Sequence, residues 1–378
     1  MTSQRGRLPS VYRQKSSADV ATNFRWDCDQ SPLSAGHIDA DNMITEASFQ
    51  KWHSATQFIG YQLNMPSKNR YVLISPCRNE ASFMRQTLES VVGQSLTPAK
   101  WIIVDDGSTD ETPKILAEYA SRFAWISIVT RADRGHRAVG PGVVDAFYAG
   151  YETIDCAEYD FVCKLDLDLL LPPRYFEILI QRMNSDLRIA TCSGKSYINE
   201  NGGLIHERHG DDTSLGMTKF YRMDRFQEIG GFVREVMWDG IDCHLCRMHG
   251  WIACSWDDPD LRFVHLRPMG SSQQSIYTGR MRHGYGQYFM GTGFFYLAAS
   301  ALSRLNQKPY IAGSLAIMWG WIRSAAQGKP RYDNLDFRRF LRRYQMRALL
   351  VGKRRAIAEL TQALPADLAQ PVESPRQS

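Results

Sequence analysis

The stretch FVCKLDLDLLLPP, residues 161–173, sets two aspartates, Asp166 and Asp168, inside an apolar run. Phe161, Val162, Leu165 and Leu167 suit a buried strand, whereas a carboxylate there is costly unless a cation or hydrogen-bond donors hold it. A buried strand over 161–165 that stops where the carboxylates begin satisfies both demands. Asp166 and Asp168, on alternate residues, then face one side beyond its carboxyl end, with Leu167 turned to the core. Leu169 to Leu171 and the Pro172-Pro173 pair lead the chain back to the body of the fold.

The same pattern recurs upstream. RYVLISPCRNE reads as a buried strand over 71–75, broken at Pro76. SFMRQTLESVVGQS has helical spacing, with Met84, Leu88, Val91 and Val92 on one face and Ser82 as N-cap. KWIIVDDGSTDET is a strand over 101–104 running into an acidic loop. Thr109 or Asp110 caps the next helix, which has Pro113 in its first turn. A strand over 125–130 and a helix over 143–154 complete the series, and a further helix is expected over 44–63. Alternating strands and helices predict an α/β fold with a mostly parallel sheet flanked by helices. Ligands of such sheets bind at the carboxyl ends of the strands. Asp105 and Asp106 are therefore expected to line one crevice with Asp166 and Asp168.

The crevice has no G-x-x-x-x-G-K-[ST] loop and no G-x-G-x-x-G after the first strand, which argues against P-loop and dinucleotide sites. Gly140 and Gly142 in AVGPGV are a weak match. Several carboxylates without phosphate-binding glycines point to phosphates neutralised by a divalent metal, and hard oxygen ligands at D-x-D spacing suit Mg²⁺ or Mn²⁺.

With 378 residues, 44% hydrophobic and 22% charged, the chain is globular in composition and has room for a sizeable core. The net charge of +5 is modest. Basic residues concentrate between Arg323 and Arg355, a pattern that is usually a solvated face and otherwise suits an anionic membrane surface or nucleic acid; of these partners the membrane surface is kept and no nucleic acid is expected. The eight cysteines show no even framework, and the first residues carry no apolar signal segment. Free thiols and a cytoplasmic setting, at most at the cytoplasmic face of an inner membrane, are the expectation. The CHLC stretch, Cys243 to Cys246, lacks a second ligand pair and is read as buried helix rather than a zinc site. No apolar run is long enough to span a bilayer. Two aromatic-rich segments, 288–303 and 310–322, fit equally a pair of core helices or a hairpin lying in a membrane interface.

Five motifs in order resemble the family 2 glycosyltransferases with the GT-A (Rossmann-like) fold. They are PCRNE at Pro76, VDDGSTDET at Val104, LDLDLLLPP at Leu165, KFYRMDRFQEIGGF at Lys219 and WDGIDCHLCRMHGW at Trp238. The resemblance covers roughly 70–267 and implies an inverting enzyme that uses a nucleotide diphosphate sugar, with a UDP-sugar favoured. It implies that Asp106, with Asp105 beside it, holds the base or ribose, and that the loop bearing Pro76, Arg78 and Glu80 lines the base pocket. The Arg78 guanidinium is suited to stack on the base. Asp168, supported by Asp166, would hold the metal, and His265 either completes that site or is a core residue. Arg137, or Arg134 in its place, and Arg267 are candidate diphosphate contacts. The base that deprotonates the acceptor hydroxyl is Asp239 or its rival Asp242, with Asp239 preferred although Trp238 replaces the family's usual Glu. The Q-x-x-R-W motif of processive synthases is missing, which favours a single transfer to a glycan or lipid-linked acceptor in surface or extracellular glycan synthesis. A metal-dependent sugar nucleotidyltransferase and a non-catalytic GT-A scaffold are the rival readings. The expected organisation is an extension over 1–68, the GT-A domain over 69–267, a helical, candidate membrane-associated module over 268–350, and a basic and polar tail over 351–378.

Overall fold

The computed structural model describes residues 69–362 apart from 134, 136–139, 201, 208, 268–275 and 306–309. The expected N-terminal extension over 1–68, the helix expected over 44–63, and Arg134 and Arg137 therefore lie outside the described residues, as does 268–275, the start of the expected C-terminal module.

Four apolar runs become the parallel strands β1 (Tyr71–Cys77), β2 (Lys100–Asp105), β3 (Ile126–Thr130) and β4 (Phe161–Leu165). Between them run α1 (Met84–Val92), α2 (Thr112–Arg122) and α3 (Pro141–Tyr151). The chain continues through β6 (Ile189–Ser193), β9 (Thr218–Arg222) and β10 (Ile252–Ser255) to give a seven-stranded sheet ordered β10-β6-β9-β4-β1-β2-β3. β9 runs antiparallel to both of its neighbours, and the other pairs are parallel. The expected α/β architecture with a mostly parallel, helix-flanked sheet is what the chain adopts.

Both faces of this sheet are covered, which explains why its strands read as continuous apolar runs. Tyr71, Leu73, Trp101 and Phe161 pack on one side with Phe176 of α4 (Tyr175–Ser185). Val72, Ile74, Ile102 and Val162 pack on the other with Val144 and Phe147 of α3. β4 is buried at every residue and ends at Leu165, so the carboxylates fall beyond it as the quoted stretch requires.

A second sheet was not foreseen. Leu169–Leu170 form β5, too short to show any periodicity, which pairs antiparallel with β11 (Arg262–His265). β7 (Lys195–Glu200) and β8 (Gly203–His206) complete the order β5-β11-β7-β8. The pairing sets His265 opposite Leu169, next to Asp168. The cap expected at Ser82 is not formed: α1 starts at Met84, and the Phe83 and Met84 N–H groups go to the Glu80 carbonyl instead. Neither Thr109 nor Asp110 is the cap of α2: that position falls to Glu111, which makes no side-chain cap bond, while Asp110 one residue earlier accepts from the Thr112 N–H through Oδ1 at 2.9 Å.

Beyond α5 (Met223–Glu228) and α6 (Trp238–Met248) come α7 (Ile276–Met290), α8 (Phe294–Leu302), α9 (Tyr310–Ala326), α10 (Leu335–Val351) and α11 (Lys353–Gln362). α11 occupies the start of the stretch expected to be tail. α7 and α9 approach closely because glycines face each other's backbone. A Cβ at Gly284 would lie 2.0 Å from the Ile317 carbonyl oxygen, and one at Gly320 would lie 2.1 Å from that of Met281. The two apolar segments match neither sequence reading alone. Tyr288, Leu297, Ala301 and Ile317 are core residues, while Phe295, Leu302, Leu315 and Trp319 stand in solvent. Among the described residues no helix is long and apolar enough to cross a membrane. Cys243 and Cys246 are buried helix residues as expected, and the cysteines of the described residues are unbridged.

Candidate active site

Two loops at the carboxyl ends of β1 and β2 are knitted together through Asn79, which takes the left-handed conformation (φ 54°) that Asn tolerates. Its N–H donates to the Ser108 hydroxyl at 2.9 Å, and its side-chain oxygen accepts from the Thr109 N–H at 2.8 Å. Asp105 turns inward and accepts from the Ser108 N–H at 2.8 Å, holding the loop. Asp106 faces the cleft, where Arg131 donates to its Oδ1 at 2.9 Å. Arg78 bridges the loops, donating to the Asp106 carbonyl at 2.6 Å and pairing with Asp133 at 2.5 Å. Its guanidinium plane is thereby fixed at the cleft wall, beside Pro76.

At the end of β4 the two aspartates differ. Asp166 pairs with the buried ammonium of Lys164 at 2.5 Å, and Lys164 also donates to the Gly216 carbonyl at 2.9 Å. Asp168 is deeper: its Oδ2 accepts from Arg267 at 2.7 Å and lies 3.6 Å from His265 Nε2. Arg267 also donates to Glu80 Oε1 at 3.0 Å, so the first strand's loop and the β4 end share one cation. Burial works against the charge of both aspartates. His265 and Arg267 overcome it at Asp168, whose pKa is lowered. At Asp166 burial, reinforced by the charge of Asp168, outweighs Lys164 and leaves the pKa raised.

This donor set has features of a divalent-metal site. Asp168 Oδ1 is buried and has no hydrogen-bond partner among the described residues. His265 meets Glu207 Oε2 through Nδ1 at 3.0 Å, which turns Nε2 toward Asp168. A carboxylate behind the imidazole is the usual arrangement that orients a metal-binding histidine. Without a cation, burial lowers the imidazole's pKa but the two carboxylates more than compensate, raising it to about 9. Among the described residues no three such side chains yet converge on one point. The chemistry of the donors nonetheless fits Mg²⁺ or Mn²⁺: two carboxylates, one with an orphaned oxygen, and an oriented imidazole.

The two candidate bases are placed differently. Asp239, in the first turn of α6, is exposed and lines the same cleft as Asp106, Asp166 and Asp168. The residue before α6, Met237, is left-handed (φ 64°), a conformation that costs energy for such a side chain. Asp242, one turn on, points into the core and is 1% exposed. Lys219 Nζ and the Tyr221 hydroxyl each donate to its Oδ2 at 2.5 Å, and the Cys243 N–H donates to Oδ1 at 2.7 Å. The structure thus brings Pro76, Arg78, Glu80, Asp106, Asp166, Asp168, His265 and Asp239 to one cleft and leaves Asp105 and Asp242 in supporting positions.

Lys164, Glu207 and Lys219 were missed by sequence reasoning. Lys164 left a signal, a lone cation in an apolar strand two residues before Asp166. Glu207 and Lys219 left none, because their partners are set by the second sheet and by β9.

Residues 72–238 match the family model described as Glycosyl transferase family 2. An uncharacterized glycosyltransferase of Escherichia coli, YibD, is 28% identical over 139 residues, 36% of this chain and 38% of its own length. A putative glycosyltransferase of Bacillus subtilis, EpsH, is 25% identical over 124 residues, 33% of each chain. The chain thus spans little more than a third of these curated relatives. Among solved structures, a mannosyltransferase from Pyrobaculum calidifontis, PcManGT, in complex with GDP-Man and Mn²⁺, is similar with a TM-score of 0.42 and 17% identity, covering 84% of this chain and 96% of that one. The matched residues run from β1 to the first residue of α6 and carry the acidic loop after β2 and the aspartate pair after β4: residues 72–238 are a family 2 glycosyltransferase domain.

Proposed function

We propose that the domain is an active GT-A enzyme that moves a sugar, with inversion, from a nucleotide diphosphate sugar to a hydroxyl of a glycan or lipid-linked acceptor, in surface or extracellular glycan synthesis. The carrying observation is that Asp106, Asp168 and Asp239, from three separate elements, open onto one cleft. A UDP-sugar is favoured on grounds of the family resemblance. Asp106 accepts hydrogen bonds from the base or ribose, and the fixed Arg78 plane forms the wall against the base. Arg267 meets the diphosphate, with Arg137 as a second contact. Asp168, Asp166 and His265 would hold Mg²⁺ or Mn²⁺, which when bound supplies Lewis-acid neutralisation of the leaving diphosphate. Asp239 takes the acceptor proton as the hydroxyl attacks the face opposite the diphosphate, which inverts the anomeric centre. Asp242 serves to position α6.

The protein is placed by the same proposal at the cytoplasmic face of a membrane. Ile311, Leu315, Trp319 and Ile322 recur at helical spacing on the exposed side of α9, with Arg323 at its end and Phe295 and Leu302 exposed on α8. An apolar stripe flanked by cations matches an interface with anionic headgroups. Co-sedimentation with anionic vesicles checks this, and a protein that stays in the supernatant would refute it.

The test of the whole reading is a panel of nucleotide sugars, each with Mn²⁺ or Mg²⁺, scored by thermal stabilisation and slow hydrolysis in wild type and Asp168→Ala. Metal-dependent stabilisation by at least one donor, lost in the variant, is expected. Stabilisation that survives in Asp168→Ala would overturn the metal assignment, and no donor response at all would overturn the transfer reading.

A further inference from the structure

The cleft, about 1170 Å³, is larger than a single small ligand needs. It is lined by α6 and by the C-terminal helices as well, with Arg280, Arg282 and His283 of α7 facing it together with Arg304, just beyond α8. Charge in this part is lopsided. Its carboxylate among the described residues is Asp212, which is already engaged by Lys353 at 2.8 Å and by Arg247 at 3.4 Å. Arg304 is held by the Ser300 carbonyl at 2.8 Å and by the Ser300 hydroxyl, both neutral. No ion pair of Arg282 or Arg304 with a carboxylate is formed among the described residues. Burial lowers the pKa of Arg304, and the neighbouring Arg280 lowers it further. Burial also lowers that of Arg282. His283 is pushed down to about 4 by burial first, then by Arg304 and Arg280. Like charges gathered in a half-buried wall oppose folding, and such strain clusters at sites where a ligand supplies the missing charge.

We infer that this part of the cleft is an acceptor subsite for a phosphoryl group, held by the guanidinium groups of Arg282 and Arg304 with Arg280 beside them. This rests on the transfer reading above and names the class of its acceptor. Guanidinium forks match phosphoryl oxygens two at a time, and several converging forks exceed what one carboxylate monoanion can satisfy. His283, kept neutral, is left as a hydrogen-bonding group rather than a further charge. Arg282 and Arg304 line the same cleft as Asp239 and Asp168, so a phosphoryl group anchored there keeps its attached hydroxyl in the cleft onto which Asp239 opens.

The experiment measures binding of inorganic phosphate and of glycerol 3-phosphate to the full chain, by calorimetry in buffer with EDTA. Wild type, R282Q, R304Q, R304K, R282Q/R304Q and R267Q are compared. Wild type is expected to bind at millimolar concentration, and each lost arginine to weaken binding about tenfold, as for one charge-assisted contact. R304K, which keeps the charge but loses the fork, is expected to fall between wild type and R304Q, and R267Q to keep most of the binding. R282Q leaves the end of α8 untouched, so the inference stays testable if R304Q fails to fold. No binding to wild type, or binding lost in R267Q and kept in R282Q/R304Q, would overturn it. A second arm uses vesicles of phosphatidylcholine with phosphatidic acid. Co-sedimentation lost in R282Q/R304Q assigns the phosphoryl group to a lipid. Vesicle binding retained while soluble phosphate binding is lost assigns it to a glycan. Donor-induced stabilisation with Mn²⁺ is read in parallel: its absence counts against the transfer reading, whereas the phosphate arm alone decides the subsite.

Discussion

Asparagine at Asp239 and at Asp242 should produce opposite phenotypes, although the two residues sit three apart on one helix. Asp242 is 1% exposed and Lys219 is fully buried. Removing one partner of such a pair strands the other charge in the core, at a cost of about 3–5 kcal/mol. Lys219 keeps contacts to the Ser214 hydroxyl at 3.1 Å and to Cys243 Sγ at 3.2 Å, which places D242N at the lower end, ~3 kcal/mol. Unfolding entropy scales at about 2 cal/mol/K per residue, so ~3 kcal/mol in a domain of this size lowers Tm by about 5 °C. Asp239 is exposed and its loss leaves no buried charge, so D239N should keep Tm within about 1 °C. Turnover should fall by about 10²–10⁴-fold in D239N, the usual worth of a general base. Folded D242N should keep most of its turnover.

The assay pairs thermal unfolding with sugar transfer or donor hydrolysis, normalised to folded protein. A double variant, K219M/D242L, adds a check, because replacing both members of a buried pair by apolar groups of similar size is often nearly neutral. It should recover most of the lost Tm and stay active. D242N with an unchanged Tm and no turnover, beside an active D239N, would refute the assignment of roles.

The remaining predictions concern the fold around the cleft. Gly320→Ala sets a Cβ 2.1 Å from the Met281 carbonyl oxygen, backbone against backbone, so α7 and α9 must separate; a loss of ~1–3 kcal/mol in urea unfolding is expected, and an unchanged midpoint would show the helices are not so close. His209 and His283 both have pKa values depressed to about 4, chiefly by burial. In the unfolded chain they titrate near 6.5, so their contribution to stability is full above about 6.5 and is lost as the pH falls toward 4. H283Q should flatten part of the decline in Tm between those limits, and an identical pH profile would contradict the buried, neutral imidazole. Arg78→Lys keeps the charge but loses the planar fork that reaches both the Asp106 carbonyl and Asp133, and should weaken nucleotide-induced stabilisation by roughly tenfold in affinity; unchanged donor affinity would remove Arg78 from the base pocket.

The legible part of this protein is the part whose partners are close in sequence or enforced by the sheet. Apolar runs at 71–75, 101–104 and 161–165 report burial on both faces directly, and the positions of Asp106 and Asp168 follow from where those runs stop. The four parallel strands β1–β4 were readable for this reason. β9 was not: KFYR reads as any short buried run, and its antiparallel insertion between β4 and β6 depends on the path of the chain through the second sheet. β5, at two residues, has no periodicity to read. Ser82 failed as a cap because the Glu80 carbonyl, set by the Asn79 turn, takes the first N–H groups of α1.

The site shows the same division. Spacing named Asp166 and Asp168, and the family resemblance Asp239 and Asp242, as carboxylates near the chemistry, but neither carried information on which were sheltered by cations. Two lysines decide that. Lys164 lies 5.3 Å and Lys219 6.0 Å from the Trp238 ring centroid, so one indole is flanked by both ammonium groups. Lys164 holds Asp166 on the cleft side, and Lys219 holds Asp242 on the core side. Trp238 occupies the position where the family resemblance leads one to expect Glu, and a carboxylate there would compete with Asp166 and Asp242 for the same two lysines. A π face attracts both cations without neutralising either, so each aspartate keeps its full partner. On that account the departure at Trp238 leaves the register of α6 intact: Asp239 is the first carboxylate of the helix that no lysine claims among the described residues, and it is the one that opens onto the cleft. Trp238→Glu should therefore redistribute Lys164 toward the new carboxylate, loosen Asp166, and weaken metal-dependent donor stabilisation while leaving Asp239 in place. Donor stabilisation as strong as in wild type would show that the indole merely fills space.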